Sequence, residues 1–147
     1  MSSKAERIAG ILAGLEGGGP DGRGVDRLYA GYFECFNRGL FYEAHDVLES
    51  LWLAQRGGRN GSFYKGLIQL AGAFVHLQKG RPGPAAALLK LARTNLRRYP
   101  AAHERLDVRE VLALIEDWLE KLEKGGGNPP AGDGRPALAL LKAPDQQ

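Results

Sequence analysis

Within Glu43-Ala44-His45-Asp46-Val47-Leu48-Glu49-Ser50-Leu51-Trp52, an imidazole and a carboxylate stand four residues apart, at His45 and Glu49. On a helix that spacing makes them surface neighbours, and the pair falls at the edge of an apolar face beside Trp52. An imidazole next to a carboxylate in a partly dry place is the raw material of a general base, or of two metal ligands. Gln69 and His76, seven apart, fall on one stripe of a later segment, separated by Gly72 and Ala73, whose small side chains would let another helix or a ligand approach. If the two segments are helices packed antiparallel, these four polar side chains face one another in a polar pocket lined by Trp52 and Tyr42.

In a catalytic version of that pocket, His45 would be the general base, Glu49 its orienting partner, and His76 with Gln69 the holders of a polar substrate group. The same set could also be a satisfied hydrogen-bond network that fixes helix register. The tight His-Glu-x-x-His spacing of a helical zinc site is missing, so no metal is assigned and the cofactor question stays open.

Other chemistry has less to stand on. Lys90, Arg93 and Arg97 recur at three and four residues with Arg98 adjacent, which makes a basic stripe suited either to phosphates or simply to water. Weak nucleic-acid binding is therefore an alternative, although nucleic acid is not the expected partner of a chain with a formal charge of only +3. Cys35, among Phe33 and Phe36, has the surroundings of a small apolar residue and not those of a nucleophile. The glycine clusters are not followed by Lys-Ser or Lys-Thr, so no phosphate-cradling loop is present. A further alternative is a protein–protein interaction or homodimerisation module, in which paired helical hairpins present Tyr29, Tyr32 and Trp118 as anchors.

The elements that must position these residues are helical. Ser3 and Glu6 form a capping-box pattern ahead of Ile8, Ile11, Leu12 and Leu15, and Gly17-Gly18-Gly19-Pro20 ends that short helix. A second helix is predicted from about Val25 to Arg38, with Gly39 as a left-handed cap, and a third from Tyr42 to Gln55. The fourth, Ser62 to Lys79, is apolar nearly all round and should be central. Pro84 suits the first turn of a fifth helix reaching Tyr99, and Asp107 with Glu110 begins a sixth carrying Val108, Val111, Leu112, Ile115, Leu119 and Leu122 on one stripe.

Sliding the chain 41 positions lays Ala30, Phe33, Gly39, Ala44 and Leu48 on Ala71, Phe74, Gly80, Ala85 and Leu89, a faint repeat of packing and turn residues. His45, Glu49 and Trp52 fall on Ala86, Lys90 and Arg93, so a hairpin scaffold does not itself demand them.

The expectation is an all-α, compact bundle of five to six helices built from antiparallel hairpins. Residues 1–24 form a short helix and glycine-rich linker, 25–124 the bundle, and 125–147 a flexible tail whose apolar patch, Ala137 to Leu141, makes at most a transient turn. With 147 residues, 44% hydrophobic and 25% charged, the composition is that of one soluble globular domain. A single cysteine excludes an intrachain disulfide, and no apolar run has the length of a bilayer span or a secretory leader, so a cytoplasmic location without membrane partners is expected.

The run Phe36-Asn37-Arg38-Gly39-Leu40-Phe41-Tyr42-Glu43-Ala44-His45 through Glu49-Ser50-Leu51-Trp52, then Gly66-Leu67-Ile68-Gln69-Leu70-Ala71 to His76 and Gly80, resembles the domain-of-unknown-function family 309 (DUF309). The similarity covers about Tyr29 to Leu96. It implies a compact helical bundle in a family without an assigned activity, and singles out Asn37, Tyr42, His45, Glu49, Trp52, Gln69 and His76 as the residues matching the motif. Lys65 stands where the family usually has Gln, which places a charge near the pocket mouth, and Asp46 where it often has Glu.

Overall fold

A computed structural model describes residues 4–13, 26–125 and 136–141. Six helices occur among them: α1 (Lys4–Ala13), α2 (Arg27–Asn37), α3 (Phe41–Gln55), α4 (Gly61–Gln78), α5 (Pro82–Leu96) and α6 (Val108–Glu123), with a two-stranded hairpin of β1 (Ala102–His103) and β2 (Leu106–Asp107) before the last. The all-α bundle is therefore as expected. Ser3, Leu15 and the glycine-rich run at 17–20 lie outside the described residues.

The helix ends follow local chemistry. Asp26 caps α2 by accepting from the Leu28 amide at 2.7 Å, and Asp107 caps α6 by accepting from the Glu110 amide at 3.1 Å. Helix α5 begins at Pro82, two residues ahead of Pro84, because proline's fixed φ and missing N–H are tolerated throughout the first turn.

The internal repeat is structural. Gly39 and Gly80 both adopt positive φ, 77° and 70°. In the first turn Gly39 N–H donates to Phe36 and Leu40 N–H to Cys35; in the second, Gly80 N–H donates to Leu77 and Arg81 N–H to His76. Both are glycine-terminated helix ends of one design, so α2–α3 and α4–α5 are two copies of one hairpin. Helix α4 is the centre, packed on α3 along one side and on α5 along the other. Its Gly66 lets α5 come so near that a β-carbon there would meet Leu96 Cγ at 2.8 Å.

The core is aromatic on the α2 side, where Phe36 packs edge-on against Phe41 and Phe74, with centroids 5.1 and 5.8 Å away. Tyr32 is fully buried and donates to the Leu67 carbonyl at 2.7 Å. Trp118 of α6 stands edge-on to Phe74 at 5.4 Å. Tyr29, Tyr32 and Trp118 are thus core residues and not surface anchors; their 3.6-residue period measures burial, which a helical stripe reports whether or not a partner exists.

Two features depart from expectation. The β1–β2 hairpin turns through Glu104 and Arg105, both at positive φ (48° and 59°), with no Asn-Gly or glycine signal to announce it. Residues 136–141 are not detached from the bundle as a flexible tail would be. Leu138 is buried, its N–H donates to Asn37 Oδ1 at 2.7 Å, and its carbonyl accepts from Asn37 Nδ2 at 2.6 Å.

Candidate functional site

A cleft of about 370 Å³ opens between α3 and α4, closed on one side by Leu88 of α5. From α3 it receives Tyr42, His45 and Glu49, which a helix places on one face at three- and four-residue spacing. From α4 come Lys65, Gln69, Gly72 and His76, again one stripe. Ile68, Val75 and Leu88 supply apolar wall, and Lys79 stands just past the end of α4.

Gly72 leaves open space between the helices at the site. A β-carbon there would lie 3.3 Å from Leu88 Cδ1 and 3.9 Å from His45 Cδ2, so the imidazole edge bearing Cδ2 and Nε2 faces α4. The other edge is tied down: Nδ1 lies 2.9 Å from Asp46 Oδ1. An ionised carboxylate only accepts, so Nδ1 carries the proton and Nε2 of the neutral ring is left as the basic nitrogen on the cleft side. The expected orienting partner, Glu49, is not the one used; the neighbouring carboxylate in the chain has taken that role. Tyr42, half exposed, stacks beside the His45 ring with centroids 6.4 Å apart.

On the opposite wall, Nδ1 of His76 is buried and has no hydrogen-bond partner among the described residues. Gln69 accepts from Asn95 Nδ2 of α5 at 2.8 Å through its Oε1, which holds the amide in place and leaves its NH2 as the donor end. Lys65 lays its ammonium over the Trp52 ring, 4.4 Å from the centroid, and Arg56 covers the same indole at 5.9 Å.

Of the seven motif residues, the fold brings together Tyr42, His45, Glu49, Gln69 and His76. Trp52 reaches the site only through Lys65. Asn37 is not in the cleft at all, since its amide is committed to Leu138. What the sequence reading missed is Asp46, hidden by its adjacency to His45, and the apolar wall of Ile68, Val75 and Leu88, which counted as ordinary core positions. The third histidine, His103, sits elsewhere, 2.7 Å from Asn60 Oδ1 and against Phe63 and Tyr99; burial pushes its imidazole below the usual histidine range.

The basic stripe on α5 is largely spoken for. Arg93 donates to Glu116 of α6 at 2.7 Å, Arg97 lies 4.0 Å from the same carboxylate, and Arg98 donates to Ser62 Oγ at 3.0 Å. The Arg93 hydrogen bond, with the charges of Arg93 and Arg97, holds the Glu116 carboxyl below its ordinary range. Lys90 and Arg93 line a second groove between α5 and α6 with Glu116, Glu120 and Glu123, whose charges oppose theirs. Shifted by 41 positions, Tyr42, His45 and Glu49 of the first cleft fall on Gly83, Ala86 and Lys90 of this groove. Cys35 is fully buried, and desolvation with the Glu43 carboxylate nearby pushes its thiol up to about 11. Among the described residues no three His, Cys, Asp or Glu side chains converge as a metal-holding set, and no helix is long and apolar enough to cross a membrane.

Residues 29–88 match the family model described as Domain of unknown function (DUF309), which bears out over that stretch the resemblance carried by the motif residues. A protein of Aquifex aeolicus (strain VF5), described as an uncharacterized protein, is 32% identical over 96 residues. The match takes in 65% of this chain and 28% of the relative, so this chain spans less than a third of that protein's length. No solved structure matches the chain.

Proposed function

We propose that this DUF309-like bundle binds a small anionic molecule with an apolar body in the cleft between α3 and α4. The observation that carries the reading is the convergence of His45, Lys65, Gln69, His76 and Lys79 on one cleft with apolar walls at Ile68, Val75 and Leu88.

The surrounding charge favours an anion. Two ammonium groups, Lys65 and Lys79, and two imidazoles line the cleft against one carboxylate, Glu49. A phosphate or carboxylate group would take the ammonium ions, the Gln69 NH2 and a protonated imidazole as donors. Its hydrocarbon or aromatic part would lie on Ile68, Val75, Leu88 and the Tyr42 ring. The cleft volume lies within the range of small-molecule sites. His45, its tautomer set by Asp46, would present Nε2 to the bound molecule either as an acceptor or as a general base. A cytoplasmic setting belongs to the same reading, because the lone thiol is buried and unsuited to cross-linking.

A thermal-shift screen of small carboxylates and phosphate esters tests this. A ligand present at a hundred times its Kd stabilises by ~2.7 kcal/mol. For a domain of this size that raises Tm by about 5 °C or more. The shift should vanish in His76→Ala and in Lys65→Gln variants that retain helical circular dichroism. A panel without a responder, or a response the two variants leave intact, contradicts the reading.

A further inference from the structure

Residues 136–141 lie on the bundle as a bound peptide would. Their burial alternates: Pro136 and Leu138 are covered and Leu140 half covered, while Ala137, Ala139 and Leu141 face out. That two-residue period is the signature of extended chain. The hydrogen bonds that hold Leu138 and Leu141 all use their main-chain groups. Leu138 gives both its N–H and its carbonyl to the Asn37 amide. Leu141 N–H donates to the Arg105 carbonyl, and the Leu141 carbonyl accepts from the Arg105 guanidinium at 2.6 and 2.8 Å. Main-chain bonds supply affinity, and pockets for alternate side chains supply selectivity, in the recognition of extended peptides.

The other half of the receptor is strained. Glu104 and Arg105 both hold left-handed backbone without being glycine, and they are fixed by Tyr29, whose hydroxyl donates to the Glu104 carbonyl at 2.8 Å, and by Leu141. Such strain persists where surrounding contacts over-determine it and concentrates at ligand clamps. Pro136, Leu138, the half-covered Leu140 and these few hydrogen bonds are all that offset the ordering of six residues.

We propose that Asn37 and the Glu104-Arg105 turn form a receptor for an extended peptide with leucines at alternate positions, filled in cis by the chain's own residues 136–141 and open to the same pattern in trans when that segment lets go. This does not rest on the α3–α4 cleft, which Asn37 does not line.

The test uses the full-length chain and a fluorescent synthetic peptide of residues 135–142. Wild-type protein should bind it weakly because its own segment competes. Leu138→Asp in the protein should raise the apparent affinity at least tenfold by freeing the receptor. Adding Asn37→Ala to that variant should reverse the gain. Equal affinity of wild-type and Leu138→Asp chains, or indifference to Asn37→Ala, overturns the proposal. Amide hydrogen exchange on wild-type protein decides the matter should Leu138→Asp fail to fold. Leu138 and Leu141 should exchange at least a hundredfold faster than Leu70 and Phe74 of α4; equal protection would make the segment integral core and end the idea.

Discussion

His45 of α3 leans on Gly72 of α4: a β-carbon at position 72 would sit 3.9 Å from the imidazole Cδ2. The cleft exists because α4 presents backbone there and not a side chain. Gly66 of the same helix serves packing alone, and the two positions respond differently to an added methyl group.

Gly72→Ala should leave the fold intact and stability unchanged or higher by up to about 1 kcal/mol, the usual gain from replacing a helical glycine. The tight contact is with the end of the Leu88 side chain at 3.3 Å, which can turn aside. Gly66→Ala should cost about 1–3 kcal/mol, because its β-carbon would meet Leu96 Cγ at 2.8 Å and the Ala92 carbonyl oxygen at 3.3 Å. Urea denaturation of both variants checks the contrast; equal effects would contradict it.

Burial pushes the phenols of Tyr29, Tyr32 and Tyr64 above the ordinary value of 10.0. Their folded-state preference is for the neutral form, so this contribution to stability is fully present below pH 10 and is lost as pH rises beyond it. Absorbance at 295 nm should show these three ionising only with unfolding, as a cooperative step that coincides with loss of helix signal.

Cys35, with its thiol pushed up to about 11, holds roughly a thousandth as thiolate at pH 8. Iodoacetamide should leave it unmodified in native protein and label it fully in 6 M guanidinium, as read by mass spectrometry. Rapid native labelling would contradict the buried placement.

For His103 the direction is opposite to that of the tyrosines. Its imidazole is depressed chiefly by burial, so the folded state prefers the neutral ring. That stability is present above the unfolded value near 6.5 and drains away as pH falls through the folded one. Stability measured between pH 7 and 5 should fall less steeply in His103→Gln than in wild type. Identical slopes would show that the ring titrates alike in both states.

Much of this was legible because helices advertise themselves through period and caps. Asp26, Asp107 and the two turn glycines act as their types dictate. The 41-residue echo of packing residues reappears as two helix ends of one design, at Gly39 and Gly80. Sequence spacing brought His45 and His76 to one cleft because each needed only its own helix and one antiparallel pairing. The role of Asn37 was not legible for the opposite reason: its partner, Leu138, is a hundred and one residues away, and no local pattern encodes such a contact. The Glu104-Arg105 turn was invisible since neither residue favours left-handed backbone, and tertiary contacts hold it there. Asp46 displaced Glu49 as the partner of His45 because rotamer geometry, which spacing alone does not report, decided between two nearby carboxylates.

The central claim is that His45 and His76 line one anion-binding cleft while His103 stands apart. Histidine side-chain NMR of the full chain, titrated with inorganic phosphate at constant pH and ionic strength, tests it most directly. The His45 and His76 imidazole signals should move along one saturation curve while His103 stays still, with both movements lost in Lys65→Gln. Three signals drifting together, or His45 and His76 unmoved, would contradict it.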